Sequence, residues 1–165
     1  NSLFIGLEYG SRMHDLTIAR ALHVLCVVLW IGGVAMVTLV LVPGVIGEPD
    51  AFSRFESIER RFASQSKITV LVAGLSGFYM VWRLDLWARF AEPRFWWMHA
   101  MVAVWLIFTA VLFVLEPLVL HNWFRSSALR DPRGTMLLIQ RFHWVLLALS
   151  LLTVAGAVAG SHGGF

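Results

Sequence analysis

Residues 17–42 read TIARALHVLCVVLWIGGVAMVTLVLV and are followed by Pro43-Gly44. The stretch carries one formal charge, Arg20, near its start and is otherwise almost continuously apolar. A helix needs about 20 apolar residues to cross the hydrocarbon core of a bilayer. The strands of a membrane barrel are much shorter and alternate between apolar and polar residues. The stretch therefore predicts a transmembrane α-helix that ends at the proline.

The composition of the whole chain points the same way. Of its 165 residues, 59% are hydrophobic and 14% are charged, and the mean hydropathy is +0.76. Soluble domains are about half apolar and about a quarter charged, so this chain is expected to lie in a lipid bilayer. The net charge of +3 comes from basic residues that lie mostly between apolar blocks. That placement is typical of membrane flanks, and no nucleic-acid partner is expected.

Four long apolar segments are present, and helices are expected at about 16–42, 64–83, 95–120 and 136–160. The second segment is the shortest. It is long enough only if it extends back over FASQSK, with Lys67 snorkelling or facing the protein interior. Four helices with fairly short connections predict an all-α, antiparallel four-helix bundle. Residues 1–165 are thus expected to form a single integral membrane domain.

An even number of crossings would place both termini on one side of the membrane, called side A here, with side B opposite. The thirteen basic residues then divide into eight on side B and five on side A. Basic residues accumulate on the cytoplasmic side, so we expect a bacterial inner membrane protein with both termini periplasmic. The first residues lack a charged start, an apolar run and a small-residue cleavage site, so a signal peptide is not expected.

Two histidines fall at similar depth near side A, His23 in the first segment and His99 in the third. An ionisable group inside a membrane helix is costly and is a candidate functional residue. Two imidazoles at one depth in a bundle suit the axial ligation of a haem b, and Arg20 and Arg94 could pair with its propionates. Gly32 and Gly33 would leave room for a flat macrocycle. The alternative, that both histidines hydrogen-bond to carbonyls or water, stays open.

A second group of polar residues is expected near side B, where His121, His143 and Lys67 lie close to the helix ends. They could form a second haem site, a quinone site or a proton site. The sequence LHNWF around His121 is equally typical of a membrane interface that binds no cofactor. One haem b is therefore expected, with a second as the alternative.

Copper is the other metal to consider, because MHAM at residues 98–101 combines thioethers and an imidazole, which suit Cu(I). Each helical residue turns about 100°. His99 therefore points about 100° away from Met98 and about 200° away from Met101. The three side chains cannot easily meet on one ion, so the methionines are expected to pack or to face lipid.

Three stretches resemble a known family. ALHVLCVVLWIGG, RFESIERRFASQSKITVLVAGLSGF and FWWMHAMVAVWLIF are similar to the first three helices of the copper-resistance-D-like membrane domain and of the related four-helix HemJ-type proteins. The likeness covers most of residues 16–120. It implies b-type haem binding, with His23 and His99 matching the family's first-helix and third-helix histidines.

The chain also differs from the HemJ-type proteins, which are linked to protoporphyrinogen oxidation. It has Met101 where they have the lysine of a His-x-Lys motif, and LVLVPGV where they have a Leu-Pro-Arg stretch. The main prediction is therefore a haem b-binding membrane protein that transfers electrons, quinol-linked or to a periplasmic partner. Partner redox subunits or a homo-oligomer are compatible with so small a chain. A porphyrinogen oxidase and a copper transport or resistance component are the alternatives.

Overall fold

The computed structural model describes the backbone of residues 2–48 and 50–164 and the side chains of residues 13–48, 50–120 and 122–164. Every element in this part of the chain is helical, which confirms the all-α prediction. Two short 3-10 turns, Trp87–Ala91 and Pro93–Phe95, precede the fourth helix. The α-helices are α1 Ser2–Met36, α2 Val42–Val45, α3 Ala51–Arg83, α4 Trp96–Ala110, α5 His121–Arg130 and α6 Pro132–Ser161.

The helical backbone continues past Pro43, where the sequence predicted a helix end, and through Pro117, which lies inside the predicted third helix. A π-helical segment, Val37–Leu41, joins α1 to α2. Pro43 lies in the first turn of α2, directly after this segment, and the wider π turn gives its ring space. A longer π-helical segment, Val111–Leu120, contains Pro117 and joins α4 to α5. The wider π turn gives the Pro117 ring space that an α turn would not.

Three predicted helix starts lie later than the observed ones. α1 begins at Ser2 rather than near residue 16. α3 begins at Ala51 rather than near residue 64, and its first half is rich in charged residues. α6 begins at Pro132 rather than near residue 136. Asp131 caps α6, since its Oδ1 accepts a hydrogen bond from the Gly134 amide at 2.9 Å. An aspartate cap followed by proline is a strong helix start, and it explains why α6 begins before its apolar run.

Three helices in the described residues are long and apolar enough to cross a membrane: Met13–Val45, Pro93–Leu120 and Pro132–Ser161. Large apolar side chains such as Val28, Leu118 and Leu152 are more than half exposed on their outer surfaces. Exposed apolar surface of this extent marks contact with lipid. Three of the four predicted segments are therefore candidate membrane-spanning helices. α3 is not one of these three helices, and its first half is rich in charged residues.

The long helices share one core. The most extensive contact is between α1 and α3, and α4 packs mainly on α6. Trp30 of α1 lies edge-on to Phe108 of α4 with ring centroids 4.7 Å apart. Around them, buried residues from all four long helices form the first cluster: Trp30, Val34, Val70, Ala73, Val104, Phe108, Leu146 and Leu147. A second cluster around Met136 packs α2 and the start of α3 against α6.

Glycines bring the helices close together by lying under aromatic rings. At each of four glycines, ring atoms of another helix occupy the place that a Cβ would take. The pairs are Gly33 under Phe62, Gly74 under Trp105, Gly156 under Trp96 and Gly160 under Trp97. Small residues allow such close approach between membrane helices. The AGAVAG stretch of α6 is used in this way, since it contains the glycines that contact the first two residues of α4.

Candidate functional site

His23 lies half-buried at the contact of α1 with α3. Its Nδ1 is 2.8 Å from the carbonyl oxygen of Ala73 and 3.3 Å from Oγ of Ser76. A carbonyl oxygen can only accept, so Nδ1 carries the proton and donates to Ala73. The lone pair of Nε2 then remains available for a metal or another donor. Histidines that ligate metals are commonly held in this way, by a carbonyl that fixes the tautomer and the ring orientation.

Gly77 provides the surface of α3 on which this imidazole rests. A Cβ at Gly77 would lie 3.1 Å from Cε1 of His23, closer than ordinary van der Waals contact. On α1, Gly32 and Gly33 were both expected to leave room for a macrocycle, but only one of them does. The Phe62 ring fills the space at Gly33, whereas nothing lies within 4 Å of a Cβ placed at Gly32. Any open surface for a macrocycle on α1 is therefore beside Gly32 and not beside Gly33.

His99 is exposed at the start of α4 and has different neighbours. Its Nε2 is 3.0 Å from the carbonyl oxygen of Phe90, and its ring lies edge-on to the Phe90 ring at 5.4 Å. Among the described residues, no hydrogen bond or ring contact joins His99 to His23. The cause is the rotation of α4, in which Trp97 and Met98 are the buried residues and His99 follows on the outer face.

The rotation of α4 also determines whether the side chains of MHAM, residues 98–101, could meet on a copper ion. Met98 is 3% exposed while the neighbouring His99 is exposed, so the two side chains point in different directions, as the helical geometry predicts. No group of three or more histidine, cysteine, aspartate or glutamate side chains in the described residues could hold a metal ion. Met98 and His99 therefore do not face one common ion in this conformation.

The two arginines expected beside propionates have surface positions. Arg20 is exposed on α1. Arg94 forms an ion pair with Glu92, with Nε 2.6 Å from Oε2, and stacks over the Phe95 ring at 4.8 Å. Arg94 is thus already paired, although an exposed ion pair of this kind is weak and easily exchanged.

A polar network missed by the sequence analysis joins α1 to α3 near His23. The Asp15 carboxylate accepts a hydrogen bond from the Tyr79 hydroxyl at 2.7 Å and one from the Arg83 guanidinium at 2.6 Å. Arg83 Nε also lies 3.1 Å from the Tyr79 hydroxyl oxygen. The spacing of Tyr79 and Arg83, one helical turn apart, was the available signal. Their partner on α1 could not be read from the sequence.

Replacing Asp15 by alanine is expected to lower the free energy of unfolding by more than the loss of an isolated surface ion pair does, because Tyr79 and Arg83 lose their shared acceptor. The Asp15 side chain is 36% exposed, so solvent screening keeps the effect small. Unfolding by sodium dodecyl sulfate in mixed micelles measures it. Glu92→Ala, which removes only the exposed pair with Arg94, is the control and should change the free energy by less than about 0.5 kcal/mol. Equal losses in both variants would contradict the assignment.

His143 and Lys67, which were predicted to lie together near side B, contact other residues instead. The Nδ1 of His143 is 2.9 Å from the carbonyl oxygen of Ile139, and its ring lies edge-on to Phe55 and Phe142. Lys67 forms an ion pair with Glu116, with Nζ 3.5 Å from Oε2. The pair ties α3 to the π-helical segment Val111–Leu120. The His121 side chain lies outside the described residues.

A cavity of about 110 Å³ lies beside His143, between α1, α3, α6 and the segment Val111–Leu120. Most of its walls are aliphatic and aromatic, and three glutamates, Glu56, Glu59 and Glu116, also line it. Two further lining residues carry buried polar atoms. Within the described residues, Nε1 of Trp30 and Oγ of Ser66 have no hydrogen-bond partner. The sequence analysis did not single out either residue, since a tryptophan and a serine in membrane helices are common packing residues.

Comparison of this chain with protein-family models, with curated proteins and with solved structures finds no match.

The His23 site and the His143 cavity are separate places in the fold. His23 contacts Ala73, and His143 contacts Phe55, so both positions can be measured along α3. Those two residues of α3 are roughly 27 Å apart at about 1.5 Å per residue. One cofactor cannot be ligated by both imidazoles. The imidazole of His23 and the cavity next to His143 are therefore two separate sites.

Proposed function

We propose that the chain is a haem b-binding integral membrane protein that transfers electrons. The observation that carries the proposal is the orientation of His23. This imidazole lies within the apolar helix Met13–Val45, and its Nδ1 donates to the Ala73 carbonyl. Its Nε2 would therefore be free to hold a haem iron. When bound, a haem supplies one-electron redox chemistry at its iron.

The residues around His23 fit an axial ligand. The Ala73 carbonyl makes the ring more basic and holds its plane, and Gly77 lets the ring lie against α3. His99 is the proposed second ligand. In the described conformation its Nε2 donates to Phe90, and releasing that bond would cost about 0.5–1.5 kcal/mol. Its exposed position on α4 allows the side chain to move without opening the core.

The proposal extends to the arrangement in the membrane. The second half of α3 is apolar and contributes Val70 and Ala73 to the core, which supports a fourth crossing and an antiparallel four-helix bundle. The uneven distribution of basic residues then supports periplasmic termini in a bacterial inner membrane. We propose quinol or a periplasmic protein as redox partner, and kinship with the copper-resistance-D-like and HemJ-type proteins.

Visible spectroscopy on protein purified in detergent tests the function. Oxidised and dithionite-reduced spectra with a pyridine haemochrome assay should show a sharp reduced b-type band and roughly one haem per chain. Colourless protein that retains Cu(I) would overturn the proposal. Haem together with porphyrinogen turnover would instead favour the oxidase.

A further inference from the structure

The short helix α5 lies between two of the candidate membrane helices. It directly follows the span Pro93–Leu120 and is followed by the span Pro132–Ser161. α5 thus occupies the place where the chain leaves the bilayer and re-enters it. One face of α5 is held by the protein, because Ala128 is buried and Phe124 packs on the second cluster, around Met136. The opposite face is exposed at the membrane surface.

The exposed part of α5 combines apolar side chains with arginines. Leu129 is 85% exposed and lies one helical turn from Arg125. Trp123 is 47% exposed and lies two turns from Arg130. Helices that lie in the surface of a bilayer carry leucine or tryptophan on the side that enters the lipid and basic residues at the level of the head groups. The side chains of α5 match this pattern.

Positive charge is concentrated on α5 and the start of α6. Residues 121–141 contain four arginines and one acidic residue, so their formal charge of +3 equals that of the whole chain. The acidic residue, Asp131, is engaged as the cap of α6. All four arginines are exposed. Within the described side chains no ion pair neutralises any of them: Arg125, Arg130, Arg133 and Arg141.

Three glutamates at the same end of the molecule have basic partners of their own. Phe55 of α3 and Phe124 of α5 pack on the same cluster, so the start of α3 lies at the same end as α5. The ion pairs here are Glu48 with Arg54, Glu56 with Arg60 and Glu116 with Lys67. These carboxylates therefore do not neutralise the arginines of α5 and α6, and an anionic partner from outside the chain would do so.

We propose that α5 and the start of α6 bind the head groups of anionic phospholipids. The arginines lie at the phosphates, and Trp123 and Leu129 lie among the upper parts of the acyl chains. A guanidinium group can donate two parallel hydrogen bonds to phosphate oxygens. Clusters of about four to eight basic residues beside a membrane helix or on an amphipathic helix are typical of such surfaces. This inference is independent of the proposed haem at His23.

The test measures which lipid lies beside α5. Cys26→Ser removes the single cysteine of the chain, and Ser126→Cys then places a fluorescent label on the exposed part of α5. The full chain is reconstituted in phosphatidylcholine vesicles, where a minor fraction of either phosphatidylglycerol or phosphatidylcholine carries bromine, which quenches the label. Phosphatidylglycerol should be enriched at the label by at least about fivefold, the contribution of one basic residue near an anionic surface.

A label at Ser161→Cys is the matched control for position. Ser126 and Ser161 are both exposed, and each hydroxyl donates to the carbonyl three residues earlier. Ser161 is the last residue of α6 and lies roughly 40 Å from Arg133, at about 1.5 Å per residue. The two brominated lipids should therefore quench a label at residue 161 to the same extent.

Substitutions of arginine test the role of charge. Arg125→Gln and Arg130→Gln should each reduce the enrichment at residue 126 by about fivefold. Arg125→Lys and Arg130→Lys keep the charge and should keep the enrichment. Arg54→Gln is the matched control, because Arg54 lies at the same end of the molecule but already pairs with Glu48. Its replacement should leave the enrichment unchanged.

Three results would overturn the proposal. Equal quenching by the two lipids at residue 126 would mean that the arginines serve only to orient the chain in the membrane. Enrichment that persists when Arg125→Gln and Arg130→Gln are combined would show that these arginines do not bind the lipid, provided that circular dichroism confirms the fold. Displacement of phosphatidylglycerol from the label by an added oligonucleotide would identify nucleic acid as the preferred partner.

Discussion

Replacing His23 by alanine is expected to abolish the low-spin haem b spectrum of the purified protein. The variant loses the Nε2 ligand that the Ala73 carbonyl orients. Even residues that only support a metal ligand contribute about 10–100-fold to metal affinity. Losing the ligand itself should therefore reduce haem content by more than about tenfold. The pyridine haemochrome assay measures haem per chain, and the reduced spectrum reports the spin state.

His162→Ala is the matched control for this experiment. His162 is exposed just beyond α6 and its Nδ1 bonds to the Val158 carbonyl, so its loss should leave the spectrum unchanged. His99→Ala should convert the haem to a high-spin form or lose it. If both His23→Ala and His99→Ala retain a low-spin spectrum, the ligand assignment is wrong. A low-spin spectrum kept by His99→Ala alone would assign the second ligand to another residue.

Replacing Gly74 by alanine is expected to destabilise the fold strongly. The added methyl group would take the place of Trp105 ring atoms, and Trp105 Nε1 donates to the Val70 carbonyl at 2.9 Å. Overpacking costs about 1–3 kcal/mol, and a broken buried hydrogen bond costs about 1–3 kcal/mol more. Unfolding by sodium dodecyl sulfate in mixed micelles should therefore show a loss of roughly 2–6 kcal/mol.

Gly32→Ala provides the comparison, because this helical glycine has nothing within 4 Å of an added Cβ. Alanine is favoured over glycine inside a helix by about 0.5–1 kcal/mol, so this variant should be as stable as the original protein or slightly more stable. A Gly74→Ala variant that unfolds at the same detergent fraction as Gly32→Ala would show that α3 and α4 do not pack as closely as described.

The helices could be predicted well because a long run of apolar residues is visible in the sequence itself. Long apolar runs locate three membrane helices without any knowledge of the partners. The errors lie at helix ends that depend on context. Pro43 was expected to end a helix, but the π-helical segment before it lets the helical backbone continue to Val45. Asp131 is a cap that was not recognised, so α6 was expected to begin too late.

The candidate site was predicted less completely. The sequence gives the depth of each residue along its helix, but it does not give the direction in which the side chain points. Counting residues along each helix gives the depth of His23 and His99. The face on which each lies depends on how α1 and α4 are rotated against their neighbours. That rotation follows from the packing of Trp97 against Gly160 and of Trp105 against Gly74, which is not a local property. The pairing of Lys67 with Glu116 was inaccessible for the same reason.

The placement of tryptophans on glycines has a practical consequence. Indole emission changes with the polarity and packing around the ring, and Trp96, Trp97 and Trp105 all belong to α4 and lie against other helices. The protein therefore carries its own optical reporters of assembly. Separation of α4 from α3 or α6 could be followed by intrinsic fluorescence, without attaching a dye to a membrane protein that has a single cysteine.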